Sequence, residues 1–521
     1  MNSLNPSPSG RRQKNGSVEL LRFLFTSVII FFHINLDLWD QQKVIGLVGG
    51  APVTFFKHGN IAVEFFFLVT GWLMAASVYR KIRGAGGSSE ASPAGAGIRI
   101  RQKATIWTRA LESLRDTLGE TAHFVGHKAR AILPYYLTAC ALTPLMRLVT
   151  DRSLTPVYFL KRLPSLLFLE RLGLGKAFIG CTWYLSSMML ALCLAYPLCR
   201  RFYRFYTCFA GPVLGCLLLW AMVAQTGSLG DIGDWFYITY KTNVRAFAEI
   251  SIGAASFECS RLLSAGFSGR SSAGAGRDAS QESRGSSGAR RSISQLALSS
   301  SAGRRAQESA GSSGARRSIS QLALSSSAGR RAQESAGSSG ARRSISQLAL
   351  SSSAGRRAQE NTGSSGSQSV REGFPVTFCR ALLSLAAVTG LALSVAYMCS
   401  AMDGVWALAV IGLLFGAVTI VFSGEGLLCH AGLFRHPLFL YLGSISLPMY
   451  VSQTLLRRMV PFYFPKVSQW SQCLMIYTGI ILFAVLLHMV IPVVTRIPAL
   501  VRSRTGLRRR LHRPAFFRQR P

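Results

Sequence analysis

The sequence predicts an all-α membrane protein: a polytopic bundle of about ten transmembrane helices, both termini cytoplasmic, interrupted by a disordered repeat insert. Three observations carry this reading. The 521 residues are 49% hydrophobic with mean hydropathy +0.29, yet they include 58 Lys+Arg against 22 Asp+Glu, a formal net charge of +36. The apolar residues gather in ten runs of spanning length, and the basic residues gather between those runs. A nucleic-acid binder would instead stripe a soluble surface with Lys and Arg.

A helix needs roughly 20 apolar residues to cross ~30 Å of hydrocarbon. Runs of that kind lie near 18–39, 59–79, 131–149, 182–199, 205–225, 244–262, 376–399, 404–423, 438–457 and 471–495. Backbone groups in lipid must be satisfied within the segment, so runs this long are read as helices rather than strands. The first run follows Arg11, Arg12 and Lys14 and continues past Leu36 without a small-residue cleavage site, which makes it a retained signal anchor. With that N-terminus inside, even-numbered helices end inside as well. Their ends carry Arg80, Lys81 and Arg83, then Arg200, Arg201 and Arg204, then Arg261, and last the basic stretch from Arg502 to Arg520. The opposite connections, 40–58 and 226–240, are poor in Lys and Arg. The connection 152–176 is the exception, with five basic residues, and is read as an interfacial loop covering the outer face.

The chain divides into a basic N-terminus (1–17), helices one to six (18–262), a loop (263–373), helices seven to ten (374–496) and a basic tail (497–521). The loop holds a 26-residue unit that begins GSSGARRSISQLALSSSAGRRAQE at Gly285, Gly311 and Gly337. Each copy has too little apolar area to offset its ordering entropy, so disorder is expected over a solenoid. Residues 84–97 form a smaller linker of the same composition, followed by a basic amphipathic helix from Ile98 to Lys128 on the cytoplasmic surface. The eleven cysteines lie mostly in apolar runs and form no C-x-x-C pair, which favours free packing residues over disulfides or a metal site.

The first span carries Arg22 and His33, eleven residues apart. At ~100° and 1.5 Å per residue they share one face at depths about 16 Å apart. Arg22 alone suits snorkelling to the interface, and His33 alone suits packing. Both on one face of an otherwise apolar helix favour function, since each is costly to bury there without a partner.

From Glu19, Arg22 and His33 onward the chain resembles the acyltransferase 3 family, integral membrane enzymes that modify surface polysaccharides and lipid-linked sugars. Members open with an acidic residue, an Arg three positions later and a His after ten more. The second span, Gly59-Asn-Ile-Ala-Val63-Glu64-Phe-Phe-Phe-Leu-Val-Thr70-Gly71-Trp72, is similar to the family's Gly-x-x-x-Val-x-Phe-Phe-x-x-Ser-Gly-Phe, with Thr70 where Ser is usual. Lys128-Ala-Arg130 with Leu133-Pro134-Tyr135-Tyr136, then Thr182-Trp183-Tyr184-Leu185-Ser186, and finally Leu442-Gly-Ser-Ile-Ser-Leu-Pro-Met-Tyr450 match further elements in order. Members commonly place a His three residues after that last Tyr; here the position is Gln453, which hydrogen-bonds but takes no proton near neutral pH.

The resemblance implies transfer of an acyl group, acetyl by expectation, from cytosolic acyl-CoA to a sugar hydroxyl across the membrane, with no bound cofactor and no metal. A hydroxyl needs a base near neutral pKa, the task expected of His33. Its ring is to be oriented by Asp37 or by Glu64, although Asp37 more simply reads as an outer-edge carboxylate. Arg22, Lys128 and Arg130 are the candidate donor-phosphate ligands, with positive-inside charge the plain alternative for the last two. Trp183, Tyr184 and Arg245 are the candidate acceptor ligands; an interfacial aromatic belt explains the first two as readily. Expected partners are membrane lipid, acyl-CoA and a carbohydrate or glycolipid, with no nucleic acid, in a bacterial inner membrane. The competing class is a non-enzymatic glycolipid transporter or flippase, which would show paired broken spans in two symmetric halves.

Overall fold

The computed structural model describes residues 15–87, 106–150, 154–230, 233–294, 374–402, 404–426, 434 and 436–511. Ten long helices occupy the ten expected runs. They are α1 (Gly16–Trp39), α2 (Ala62–Gly87), α3 (Ile106–Thr150), α4 (Trp183–Arg201), α5 (Gly211–Thr226), α6 (Lys241–Ser294), α7 (Phe374–Met398), α8 (Trp406–Ser423), α9 (Pro437–Tyr463) and α10 (Gln469–Leu511). Among the described residues eight helical stretches are long and apolar enough to cross a membrane, so the chain is an integral membrane protein. The two helices outside that set are α6, with Lys241, Arg245, Glu249 and Glu258, and α9, with Gln453, Arg457, Arg458 and several Ser and Pro, because these residues lower their hydropathy.

Contacts along the helices fix their relative directions. α9 runs parallel to α1: Gly443 lies against Glu19, and Arg457 pairs with Asp37 at 2.6 Å. α6 runs parallel to α2, since Arg245 pairs with Glu64 and Ser260 accepts from Trp72 Nε1 at 3.2 Å. α4 also follows α2, from Phe67–Tyr184 at 4.7 Å to Lys81–Tyr196 at 3.0 Å. α8 follows α6 through Ser256–Thr419 and Ser264–Ser423. Antiparallel pairs link odd to even helices. Glu120 of α3 meets Arg200 of α4 at 3.0 Å; Gly215 of α5 meets Ala248 of α6; Arg380 of α7 meets Glu425 after α8; and Ser444 of α9 meets His488 of α10. Odd helices therefore run one way and even helices the other, the order that repeated crossing demands.

Small residues set the closest approach. A Cβ on Gly71 would overlap the Ile250 carbonyl, and one on Gly253 would overlap the Leu68 carbonyl, so α2 and α6 touch backbone to backbone. Without a hydrophobic force between helices in lipid, such close packing is what holds them.

The two ends of the bundle differ. The end where α1 begins carries Arg80, Lys81, Arg200, Arg201, Arg204 and Arg261 and is here called the basic end. The other, the hairpin end, carries two short antiparallel pairs: β1 (Val44–Val48) with β2 (Ala51–Thr54), and β3 (Trp235–Phe236) with β4 (Thr239–Tyr240). Gly49 and Gly50 turn β1 into β2 at φ 58° and 82°, the left-handed conformation that tight hairpins require. Residues 154–179 form turns and short helices at this end. They are pinned by Tyr136 Oη donating to Ser165 O at 2.8 Å and Ser186 Oγ donating to Phe168 O at 2.6 Å.

Two boundaries depart from expectation. The amphipathic segment expected to end at Lys128 is continuous with the third span in one 45-residue helix, which carries Pro134 and Pro144 internally. α6 runs past the expected end at 262 to Ser294, so the start of the loop expected to be disordered is helical. Extending a helix already nucleated costs less than starting one, and here it continues although the stretch is rich in Ser and Gly. The chain forms two units, Met1–Ser271 with Phe374–Pro521, and Ser272–Gly373. The basic N-terminus to residue 14, most of the 84–97 linker, most of the repeats and the last ten residues lie outside the described residues.

Candidate functional site

One face of α1 organises the site. Arg22, Thr26 and Ile29 line a cavity of about 690 Å³ toward the basic end, and Ile29, His33 and Leu36 line a second of about 410 Å³ toward the hairpin end. The larger cavity is ringed by Arg22, Arg80, Lys81 and Lys128 with His123 and His127, while Glu19 is the carboxylate in its wall. Apolar side chains, among them Phe66, Leu73 and Met188, line its depth. Arg22 holds Glu19 at 3.0 Å, and Lys81 holds Glu120 at 3.2 Å. A mouth with this excess of cations and an apolar interior suits a ligand with an anionic head and an uncharged tail.

The smaller cavity contains His33, Lys57, His58, Asn60, Trp183 and Arg245. His33 Nδ1 lies 2.8 Å from the Ile29 carbonyl. A carbonyl only accepts, so this bond places the proton on Nδ1 and leaves Nε2 as the accepting nitrogen of the neutral ring. Gln453 stands beside the ring. Ile29, Val63 and Tyr450 belong to the walls of both cavities.

The expected orienting carboxylates are committed elsewhere. Asp37 is exposed and pairs with Arg457 at 2.6 Å, and Glu64 is fully buried against Arg245, so the Ile29 carbonyl holds the imidazole instead of either acid. Arg245 sits between Glu64 and Glu249 and donates Nη1 to Leu229 O at 2.9 Å. It borders the His33 cavity as a fixed wall, its charge already balanced by carboxylates rather than open to an acceptor. Trp183 lines the His33 cavity, whereas Tyr184 faces the other one, so the two expected acceptor aromatics are divided between compartments. Lys128 lines the cationic cavity; Arg130, two residues on, is exposed outside it, because the helical turn carries it to another face. The sequence reading missed Glu249, Tyr450 and Lys57 as parts of this region. Arg245 and Glu249 at i and i+4 in an apolar run were the available signal for the first.

Glu170 lies near the site, buried in the 154–179 segment with Thr182 Oγ1 3.5 Å from its Oε1. Burial pushes its carboxyl from 4.5 up to about 7, against the opposing pull of Arg171. The folded protein therefore keeps a proton on Glu170 that the unfolded chain releases. This contribution to stability is present below pH 4.5 and is lost as pH rises through about 7. Glu170→Gln should flatten that slope and raise the unfolding temperature at pH 8 relative to the parent, as read by thermal unfolding in detergent from pH 4 to 8.

Among the described residues no group of three or more His, Cys, Asp or Glu side chains could hold a metal ion, and the ten cysteines there are free. Comparison with family models, curated proteins and solved structures finds no match to the chain.

Proposed function

We propose that the protein is a membrane O-acyltransferase that crosses the bilayer ten times, with its basic end and both termini cytoplasmic, in a bacterial inner membrane. It moves a short acyl group from acyl-CoA to a hydroxyl of a surface polysaccharide or lipid-linked sugar. The observation that carries this reading is the pair of cavities on one stripe of α1, cationic around Arg22 and imidazole-bearing around His33, meeting at a common wall. The alternation of helix directions and the basic charge at one end support the sidedness.

In this mechanism the donor phosphates lie among Arg22, Arg80, Lys81 and Lys128, and the thioester points along the apolar interior toward His33. The acceptor enters from the hairpin end. His33 Nε2 takes the hydroxyl proton, the oxygen adds to the thioester carbonyl, the carbon–sulfur bond breaks, and the departing thiolate receives the proton. Trp183 offers its ring to a sugar in the same cavity. Gln453, beside the ring, offers an amide where a second proton carrier would otherwise stand. A carrier works one substrate site from alternate sides; two cavities of different chemistry, one cationic and one imidazole-bearing, favour a reaction path.

The test is transfer of labelled acetyl from acetyl-CoA to a glycan acceptor by purified protein in vesicles, paired with mass spectrometry of surface glycans from cells with and without the gene. Absence of both an acetyl-sized mass difference and label transfer would refute the proposal. Within it, Arg22→Ala should raise the KM for acyl-CoA about tenfold to a hundredfold, the value of one charge-assisted phosphate contact, with a smaller effect on kcat. Initial rates against donor concentration measure this, and Arg22→Lys should recover part of the loss.

A further inference from the structure

The wall between the cavities is built from three helices. Ile29 of α1, Val63 of α2 and Tyr450 of α9 are buried, and each bounds both spaces. All three are held. The Ile29 carbonyl anchors His33 Nδ1 at 2.8 Å. Val63 precedes Glu64, whose ion pair with Arg245 ties α2 to α6 at this level. Tyr450 donates its hydroxyl to the Cys181 carbonyl, sets its ring edge-on to Tyr184 at 5.9 Å, and receives Gln453 Nε2 on its own carbonyl at 3.0 Å. Ile and Val are stiff about χ1, and a tyrosine fixed at its hydroxyl and its backbone swings little. A wall of such side chains does not yield like a wall of Met or Lys.

The wall also stands where the chemistry of the proposed reaction must occur. Along α1 it lies about 10 Å beyond Arg22 and about 6 Å short of His33, at 1.5 Å per residue. A thioester held among the cations must therefore reach the wall before the imidazole-side hydroxyl can meet its carbonyl carbon.

We infer that Ile29, Val63 and Tyr450 form a septum that sets the length of the acyl group, admitting a two-carbon unit and excluding longer chains. The inference rests on the acyl-transfer reading and deepens it by naming the residues that choose the donor. Until an acetyl group enters it the septum keeps the two compartments apart, so a thioester still on the cationic side is shielded from water entering at the hairpin end.

Two measurements test it. The first compares acetyl-CoA with butyryl-CoA as donors for the parent, Val63→Ala and Ile29→Ala. One or two methylenes in an apolar site discriminate by about 10- to 200-fold. Removing them should lower the acetyl-to-butyryl ratio of kcat/KM at least tenfold, whereas Tyr450→Phe, which keeps the ring but releases it from the Cys181 carbonyl, should lower the ratio by less than either alanine variant. An unchanged ratio in both alanine variants overturns the inference. The second needs no turnover: His33→Cys in vesicles is exposed to a small membrane-impermeant thiol reagent from each side, with the His33 parent as control for the native cysteines. Labelling from the hairpin side alone, becoming two-sided when Val63→Ala is added, is the expected result. Labelling from both sides without Val63→Ala, or no change on adding it, overturns the septum. If the parent transfers no acyl group at all, the acyl-transfer reading fails, and the labelling result still decides whether the wall separates the cavities.

Discussion

His33→Ala should lower acyl transfer by about 10²- to 10⁴-fold while the protein remains inserted and monodisperse. That range is the usual contribution of a positioned general base. The loss should appear in kcat more than in donor KM, because the imidazole lies beyond the wall from the cationic cavity. The structural cost should be small: the ring's partners are a carbonyl of its own helix and the Gln453 side chain, and it borders a cavity rather than filling a packed core. Label transfer from acetyl-CoA, run beside size-exclusion chromatography and thermal unfolding, separates the two effects. Activity within tenfold of the parent would remove His33 from the base role and turn attention to His58, the other imidazole lining the same cavity.

The largest loss of stability is expected from Arg245→Ala. Its guanidinium lies between Glu64 and Glu249, all three with at most 1% of the side chain exposed. Removing one partner of a buried ion pair typically costs about 3–5 kcal/mol, because the remaining charge stays buried without compensation. Here two carboxylates would face each other across the vacated space. The triad lies on the α2–α6 contact, where Gly71 and Gly253 bring the backbones together, so repulsion acts where the helices have least room to separate. The expected result is a lower unfolding temperature and poor recovery of folded protein in detergent. Adding Glu64→Gln and Glu249→Gln to Arg245→Met should restore much of the loss, since exchange of a whole buried ionic group for neutral residues of similar volume is often near neutral. If Arg245→Ala unfolds like the parent, the triad is not what holds α2 to α6.

The helices were legible because apolar runs of spanning length have few alternatives, and their order followed from basic residues collecting at alternate ends. Their limits were less legible. Nothing in the local pattern separates the amphipathic segment before Lys128 from the span that follows, and a helix carries through Pro134 when neighbouring helices hold it. The stripe of Arg22, Ile29 and His33 could be read from period alone because it belongs to one helix. The partners could not. Asp37 finds Arg457 across 420 positions of sequence, and Glu64 takes Arg245 from α6 rather than serving the nearer imidazole. A carboxylate in an apolar run announces that it needs a cation; which cation is decided by helix packing, and one sequence records only the candidates.

The parallel contact of α1 with α9 bears on how the chain comes to be made. α1 is made long before α9, and until α9 emerges the flank of Glu19 and the carboxylate of Asp37 stand without the partners they later meet. Early helices must wait in the bilayer, paired provisionally or screened by lipid headgroups, for the ribosome to deliver the remainder. A message cut short anywhere before residue 437 would thus yield not a weakened bundle but an open one, a ready substrate for membrane quality control.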